Sequence, residues 1–296
     1  MNSPDILQGL NPAQHDAVIH RGGPLLVVAG AGSGKTRVLT QRIAHLIQED
    51  NINPFQILAI TFTNKAAQEM KDRVAALVGP VAEKMWVSTF HSACVRILRR
   101  DAEQLGYPSA FSIYDQADAT RLTGYVVRDL GLDNKKFVAR SVHAQISNLK
   151  NELISTDAAL DRADGIFGRK IAEIYDEYQR RLRSAGAMDF DDLLTVTVQL
   201  FDNFPNALSH YQERFQHVLV DEYQDTNPAQ NDIVLKLGDK HRNVFVVGDS
   251  DQSVYAFRGA DIRNILEFEK AFPDTGVVVL DQNYRSTQTI LDAANS

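Results

Sequence analysis

A glycine-rich segment that ends in lysine and threonine carries the clearest chemical signal in the chain. Residues 25–36 read Leu-Leu-Val-Val-Ala-Gly-Ala-Gly-Ser-Gly-Lys-Thr, which is an apolar run, a turn and the start of a helical pattern. Glycines let backbone N–H groups converge on an anion, and a helix N-terminus adds its positive dipole end. Lys35 supplies a point charge for the β- and γ-phosphates of a nucleotide, and the Thr36 hydroxyl suits Mg²⁺. The predicted phosphate-binding set is Ala29, Gly30, Ala31, Gly32, Ser33, Gly34, Lys35 and Thr36, with alanine at 29 where the motif usually begins with glycine.

A pair of carboxylates follows a second apolar run. Residues 218–225 read Val-Leu-Val-Asp-Glu-Tyr-Gln-Asp, so the run delivers Asp221 and Glu222 to the end of a predicted strand. Ligands of open α/β sheets bind at such carboxyl ends. Phosphoryl transfer needs a carboxylate that holds Mg²⁺, a role that suits Asp221, and a base that orients water, which suits Glu222. Taken alone, the pair is also compatible with a solvated acidic turn, and the phosphate-binding segment is what strengthens the interpretation.

Short β-branched runs alternate with helical patterns at both ends of the chain. Strands are predicted at 25–29, 57–61, 85–88, 218–221, 244–247 and 277–280, and helices at 35–48 and 64–77, the second with Asn64 as its cap. The runs are continuous in apolar character, which is typical of a parallel sheet covered on both faces. Strand–helix alternation predicts an α/β domain.

The middle of the chain follows a different pattern. Between about 106 and 215 no strand is predicted, and residues 115–130, 135–149, 167–184 and 190–201 have helical periodicity. We therefore expect an α/β domain, residues 1–105 and 215–280, interrupted by a helical insertion, residues 106–214. A strand and a helical start near residue 296 have no closing element, which suggests a truncated chain.

Composition narrows the classes of protein. The chain has 296 residues, 44% of them hydrophobic, and a net charge of −7. No apolar run is long enough to span a bilayer, and no export signal begins the chain, so no membrane partner is expected. A single cysteine, Cys94, excludes an internal disulfide and fits a reducing cytoplasm. Because the chain is acidic, binding of nucleic acid would need a local groove of donors and stacking rings.

The ordered motifs resemble those of the UvrD/Rep/PcrA-type helicases of superfamily 1. The matching segments are 10–14, 29–36, 60–67, 87–91, 188–193, 220–225, 247–260 and 282–287. The resemblance implies a RecA-like P-loop domain, 1A, with an all-helical insertion, 1B, and the start of a second RecA-like domain, 2A, at 281–296. It also implies an ATP- and Mg²⁺-dependent motor that moves 3′ to 5′ on single-stranded DNA, acts at single-strand/duplex junctions and works with repair or replication proteins.

The resemblance assigns further residues to the nucleotide. Gln14 pairs with adenine, since an amide both donates and accepts hydrogen bonds. Arg37 lies along the base or the phosphates, Gln252 senses the γ-phosphate, and Arg258 reaches the same phosphate. Tyr284 stacks on adenine and Arg285 acts as an arginine finger, so the implied catalytic set is Lys35, Glu222, Gln252 and Arg285.

Aromatic residues carry the implied DNA contacts. Bases stack on protein rings without regard to sequence, at about 1–3 kcal/mol per base. The DNA-binding set implied by the resemblance is Phe62, Asn64, Thr89, His91, Phe190, Tyr255 and Phe257. Family members often carry tryptophan where Phe257 stands, and the smaller phenylalanine face predicts a weaker grip there.

Two alternatives to a complete motor remain at this stage. The chain could bind nucleotide and DNA without turnover of its own, because domain 2A would complete the site. It could also be a P-loop enzyme of another class, such as a small-molecule kinase. The long helical insertion and the Gln-Asp that follows Asp-Glu argue against the kinase.

Overall fold

The computed structural model describes residues 6–30, 32–249 and 263–284, without the side chains of Arg263 and Ile265. It divides into two compact units. The first contains the residues up to Phe90, Ser209–Asn227 and the residues from Val234 onward, and the second contains His91–Leu208 and Pro228–Ile233. These unit boundaries differ from the expected 105/106 and 214/215. The helices Phe90–Asp101 and Pro205–Arg214 each cross one of the observed boundaries, so the units do not divide at the ends of helices. The assignment to domains 1A and 1B stays a prediction.

The first unit is built on a parallel sheet of six strands in the order β3-β2-β6-β7-β1-β8. The strands are β1 (Leu25–Ala29), β2 (Ile57–Thr61), β3 (Trp86–Thr89), β6 (His217–Val220), β7 (Val244–Gly248) and β8 (Gly276–Leu280). In the register, Val28 pairs with Gly248 and Val220 with Val246, so β1, β7 and β6 end side by side. The predicted α/β class with a parallel sheet is confirmed, and each predicted strand lies within one residue of the observed one.

Helices cover this sheet because their apolar residues recur at helical spacing. The helices of the first unit include α1 (Pro12–Ile19), α2 (Lys35–Gln48), α3 (Asn64–Val78) and α12 (Arg263–Ala271). On α2, Val38, Leu39, Ile43 and Leu46 are fully buried and join the same core as Val27 of β1. That packing fixes the start of α2 against the end of β1.

The cap of α3 corrects a sequence expectation. The Thr63 hydroxyl accepts a hydrogen bond from the Ala66 N–H at 3.0 Å, so Thr63 is the N-cap and Asn64 is the first helical residue. Threonine and asparagine are both good caps, and neighbouring candidates cannot be ranked from sequence alone.

The second unit has its own apolar core and is mostly helical. Its helices, including three that continue into the first unit, are α4 (Phe90–Asp101), α5 (Gln116–Asp129), α6 (Ala139–Asn151), α7 (Thr156–Arg162), α8 (Gly165–Ser184), α9 (Phe190–Asn203), α10 (Pro205–Arg214) and α11 (Pro228–Gly238). The expectation of no strand between 106 and 215 is wrong. Strands β4 (Ser112–Tyr114) and β5 (Ala187–Asp189) pair in parallel, and three residues are too few for a periodic signal.

Candidate functional site

The phosphate-binding segment is a turn between the end of β1 and the start of α2. Gly32 and Gly34 have φ of 77° and 87°, in the left-handed region that favours glycine. The Ser33 hydroxyl closes the turn by donating to the Gly30 carbonyl at 2.8 Å. Gly34 is the N-cap of α2 and offers no side chain, so the first N–H groups of the helix are available for an anion.

Lys35 is the first residue of α2 and is held by two carboxylates. Its Nζ lies 3.2 Å from Glu222 Oε2 and 3.0 Å from Asp249 Oδ2. Burial would lower the pKa of Lys35, but the hydrogen bond to Asp249 and the charge of Glu222 raise it above its usual value. The lysine is therefore a fixed cation at the carboxyl ends of β1, β6 and β7.

Asp221 and Glu222 follow β6 and have different surroundings. Asp221 is 5% exposed, and burial, with a further contribution from the charge of Glu222, raises its pKa to about 6. Glu222 is about one-third exposed and has φ of 50°. A non-glycine residue in the left-handed region carries a backbone cost, which points to a functional constraint at this position.

Gln224 and Asp249 belong to this cluster, although the sequence analysis gave them no role. Gln224 Nε2 donates to Glu222 Oε2 at 2.8 Å, and its Oε1 accepts the Asp249 N–H at 2.9 Å. At Gly248, a β-carbon would lie 3.4 Å from Gln224 Oε1, a tight contact. Asp249 directly follows the buried run of β7, as Asp221 follows β6, and this shared pattern was the available signal.

Gln14 is packed against the phosphate-binding turn. Its Nε2 donates to the Ser33 carbonyl at 2.8 Å, and its Oε1 accepts the Asn11 N–H at 3.2 Å in a capping box on α1. A β-carbon at Gly34 would lie 2.9 Å from Gln14 Nε2, so a side chain there would displace the Gln14 amide, in addition to the strain of the positive φ. Both ends of the Gln14 amide are bonded to protein in this structure, so adenine pairing stays a prediction.

Tyr284 reaches the same turn from the far end of the described chain. Its N–H donates to the Gly32 carbonyl at 2.9 Å, and its hydroxyl accepts from Asn11 Nδ2 at 2.9 Å. The ring is 56% exposed. Arg37, the third residue of α2, donates to the Gln8 carbonyl at 3.0 Å. The structure thus brings residues 11–14, the turn and Tyr284 together, as a nucleotide-base pocket would require.

Two predicted DNA-binding residues lie just beyond the end of β2, and a third ends β3. Phe62 is partly buried and packs edge-on against Phe90, with ring centroids 5.8 Å apart. Asn64 is exposed at the start of α3, whereas Thr89 is 7% exposed at the end of β3. Burial leaves the Thr89 side chain little surface for a ligand.

His91 and Phe190 meet in the second unit. Their ring centroids lie 6.0 Å apart, edge to face, and Phe190 is 47% exposed. Burial lowers the pKa of His91, against a raising influence from Asp191. A neutral imidazole beside an exposed ring is compatible with base stacking.

A buried charge cluster fixes the start of α9, where Phe190 is the first residue. Asp189 caps the helix and shares a capping box with Asp192. Lys150 Nζ lies 2.8 Å from Asp189 Oδ2 and 2.8 Å from Asp192 Oδ1, and all three are at most 2% exposed. Tyr178 donates its hydroxyl to Asp189 at 2.7 Å. These contacts hold the start of α9 in place, and with it the backbone that carries the exposed Phe190 ring.

Six residues of the predicted site lie outside the described residues: Ala31, Gln252, Tyr255, Phe257, Arg258 and Arg285. Thr36 is the second residue of α2, next to Lys35. Metal binding by Thr36 and Asp221 stays a prediction.

Comparison with known proteins identifies the family. The model of the UvrD/REP helicase N-terminal domain matches residues 10–273. The chain belongs to the UvrD/REP helicase N-terminal domain family. It is 57% identical to the ATP-dependent DNA helicase UvrD1 of Mycobacterium tuberculosis (strain H37Rv), over 98% of this chain and 39% of that protein. It is 52% identical to the ATP-dependent DNA helicase PcrA of Bacillus subtilis (strain 168), over 99% of this chain and 40% of that protein.

The UvrD/REP chain described here therefore spans about two fifths of the length of these curated relatives. The resemblance expected from the sequence motifs is confirmed at the level of the family. Among the described residues, no helix has the length and apolar character that crossing a membrane requires.

Proposed function

We propose that this chain is the nucleotide- and DNA-binding N-terminal part of an ATP-dependent helicase that translocates 3′ to 5′ on single-stranded DNA. The observation that carries the proposal is the position of Lys35, whose ammonium is held by Glu222 and Asp249 beside the N-terminus of α2. The names of the relatives, which are ATP-dependent DNA helicases, support the same activity.

The side chains at this edge of the sheet fit a magnesium nucleotide. Magnesium prefers oxygen ligands, and the Thr36 hydroxyl and the Asp221 carboxylate are of that type. The turn around Gly32 and Gly34 gives the close backbone approach that phosphates need. Bound Mg²⁺–ATP would supply the γ-phosphoryl group and the cation that neutralises charge during its transfer.

The protein's own contribution follows from the ion pairs of Lys35. On nucleotide binding, Lys35 exchanges its two carboxylate partners for phosphate oxygens. Glu222 then loses the lysine but keeps the hydrogen bond from Gln224, which orients its carboxylate. A carboxylate oriented in this way accepts a proton from the attacking water. Tyr284, anchored on Gly32, offers its exposed face to the base.

DNA binding is proposed for the exposed aromatic positions. Phe190 is half-exposed on a rigid helix start, and stacking on such a ring accepts any base. Phe62 and Asn64 would contribute from the end of β2. The corresponding roles of Gln252, Tyr255, Phe257, Arg258 and Arg285 are part of the proposal and follow from the resemblance alone. The proposed cellular substrates are single strands and junctions in DNA repair or replication.

Titration of magnesium ATP and of single-stranded DNA into the 296-residue chain tests the proposal. In Lys35→Ala, we expect nucleotide affinity to fall about tenfold or more, because charge-assisted hydrogen bonds to phosphate are lost. Lys135→Ala, an exposed lysine of the second unit, is the matched control and should bind as the parent does. Undiminished nucleotide binding by Lys35→Ala would refute the assignment of the site.

A specific observation favours a second candidate, which is binding without multiple turnover. The 296-residue chain aligns with only 39–40% of the length of each relative. In phosphoryl transfer an arginine supplied to the γ-phosphate is worth about 10³–10⁵ in rate. If the residues that complete the site lie in the rest of the relatives' length, the 296 residues bind ATP and DNA but hydrolyse ATP slowly.

A further inference from the structure

A cavity of about 220 Å³ lies at the amino ends of β1, β6 and β7, in the first unit. Its lining includes Leu25, His217 and Val244, which begin or lie next to the start of these strands, and Arg42 from the second half of α2. The carboxyl ends of the same strands carry the Lys35 site, so the cavity is at the opposite edge of the sheet. The proposed function uses none of its side chains.

Arg42 is a buried cation in this cavity, and none of the described carboxylates forms an ion pair with it. It is 8% exposed, and its one hydrogen bond within the described chain runs from Nη1 to the Val18 carbonyl at 2.8 Å. Within residues 6–30, 32–249 and 263–284, no carboxylate oxygen lies within 4.0 Å of its guanidinium. Burial lowers the pKa of Arg42 to about 10. Buried arginines are almost always paired, so this site has a positive charge without an ion-pair partner among the described residues.

The carboxylate that lines the cavity is already engaged elsewhere. Asp50 Oδ1 lies 2.5 Å from Arg21 Nη2, and Asp50 Oδ2 lies 3.8 Å from His45 Nε2. Its charge raises the pKa of Arg42 only at longer range. With Arg21 and Asp50 paired, Arg42 leaves the cavity with one excess positive charge.

A neutral donor faces the same space. The His217 ring has no hydrogen-bond partner among the described residues, and burial, with a further contribution from Arg42, lowers its pKa to about 4. A neutral imidazole presents one N–H donor. The combination of a guanidinium with unused N–H groups and a ring N–H is a donor set for an anion.

We propose that this cavity binds a small tetrahedral oxyanion, with Arg42 as the principal cation and His217 as a neutral hydrogen-bond donor. The chemistry is that of inorganic phosphate or of a phosphomonoester group. A cavity of about 220 Å³ is several times the roughly 30 Å³ that one water occupies in the liquid, so it has room for such an ion. Binding gives the buried guanidinium the counter-charge that it lacks.

The test follows the ring resonances of His217 by NMR while inorganic phosphate is added to the 296-residue chain. The experiment is done in Lys35→Ala, which removes the cation of the phosphate-binding turn between β1 and α2, so that phosphate binding there is weakened. We expect a saturable shift of His217, and an affinity at least about tenfold lower in Arg42→Gln, because a charge-assisted hydrogen bond is lost. Arg121→Gln removes the same charge from an exposed helix of the second unit and should leave the affinity unchanged.

Two further arms keep the result decisive. If Arg42→Gln fails to fold, His217→Phe is titrated instead and followed at His20, which also lines the cavity; weakened binding is expected. A nucleoside monophosphate distinguishes the sources, since equal or tighter binding identifies a phosphomonoester and weaker binding identifies the free anion. The proposal is overturned if phosphate gives no saturable shift up to about 50 mM, well above a millimolar Kd, or if chloride at equal ionic strength reproduces the shift.

Discussion

Lys35 and Arg42 lie seven positions apart on the same helix and show how surroundings decide what a cation does. Lys35 is held by two carboxylates that arrive from the ends of β6 and β7. Arg42 is more deeply buried, but it has only the Val18 carbonyl as a hydrogen-bond partner in the described chain. A paired cation can exchange one anion for another, whereas an unpaired one carries a standing desolvation cost.

The partly buried His217, which lines the cavity with Arg42, makes the stability of the fold depend on pH. The pKa of His217 is about 4 in the folded protein and about 6.5 in an unfolded chain. Between these values the unfolded chain binds the proton more strongly, so the free energy of unfolding falls as the pH is lowered from about 6.5 to 4. Above pH 6.5 the contribution is fully present, and its size is at most about 3 kcal/mol.

We therefore expect His217→Gln to flatten the dependence of unfolding free energy on pH in this window. The measurement is urea denaturation in phosphate-free buffers from about pH 4 to pH 7.5. Comparison of the two proteins above pH 6.5 isolates any packing effect of the substitution. Part of the slope will remain, because burial also lowers the pKa of four other histidines: His20, His45, His91 and His143. An unchanged slope in His217→Gln contradicts the prediction.

Among the secondary-structure elements, helix starts position the candidate ligand-binding residues. The starts of α2, α3 and α9 carry Lys35, Asn64 and Phe190. The starts of α3 and α9 are capped by the Thr63 hydroxyl and by the Asp189–Asp192 capping box, whereas Gly34 gives the first N–H groups of α2 no side-chain cap. Caps satisfy N–H groups that a helix leaves free, and so they determine where the first side chains lie.

The cap of α3 separates stability from DNA contact. Thr63→Ala removes the hydroxyl that accepts from Ala66, and should lower the free energy of unfolding by about 1 kcal/mol. Asn64→Ala removes an exposed side chain, and should weaken single-stranded DNA binding with little loss of stability. Denaturation and DNA titration of both variants check this pair, and a greater stability loss in Asn64→Ala would restore asparagine as the cap.

The charge cluster under α9 predicts a large loss of stability. Lys150→Met leaves Asp189 and Asp192 buried without their cation, which should cost about 3–5 kcal/mol. Lys170→Met removes a lysine whose side chain is 37% exposed and pairs with Glu173, and should change stability by no more than about 0.5 kcal/mol. Denaturation measures the free energy of unfolding of both variants. Equal decreases would show that the buried ion pairs of Lys150 stabilise the fold no more than the pair of Lys170 and Glu173.

At the scale of the whole molecule, the described residues of the nucleotide site all come from one of the two compact units. The phosphate-binding turn, the two carboxylates and Tyr284 all belong to the first unit. The chain spans about two fifths of the length of its relatives, and the second candidate function places the residues that complete the site in the rest of that length.

Under the second candidate function, steady-state ATP hydrolysis by the 296 residues should be slow. With saturating single-stranded DNA, we expect turnover well below about 1 s⁻¹, the lower end of typical enzyme rates. A phosphate-release assay measures it, with Lys35→Ala as the background control. Turnover of several per second that is lost in Lys35→Ala would contradict this expectation. It would show that the 296-residue chain suffices for hydrolysis.

The sequence by itself determined the elements and their chemistry, because those signals are local. Continuous β-branched runs predicted the strands of the parallel sheet, and the segment from Ala29 to Thr36 predicted a phosphate-binding turn before α2. The sequence patterns did not predict β4 and β5, which are too short to show a period. They also placed the α3 cap at Asn64, one residue after the observed cap.

Only the tertiary structure decided which charges meet. The sheet order puts the ends of β6 and β7 beside β1, and so brings Glu222 and Asp249 to Lys35 from 187 and 214 positions away. At the opposite edge, Arg42 has no carboxylate within 4.0 Å among the described residues, since Asp50 pairs with Arg21. Pairing of distant charges depends on strand order and register, which are set by the packing of the whole sheet and leave no local pattern in the chain.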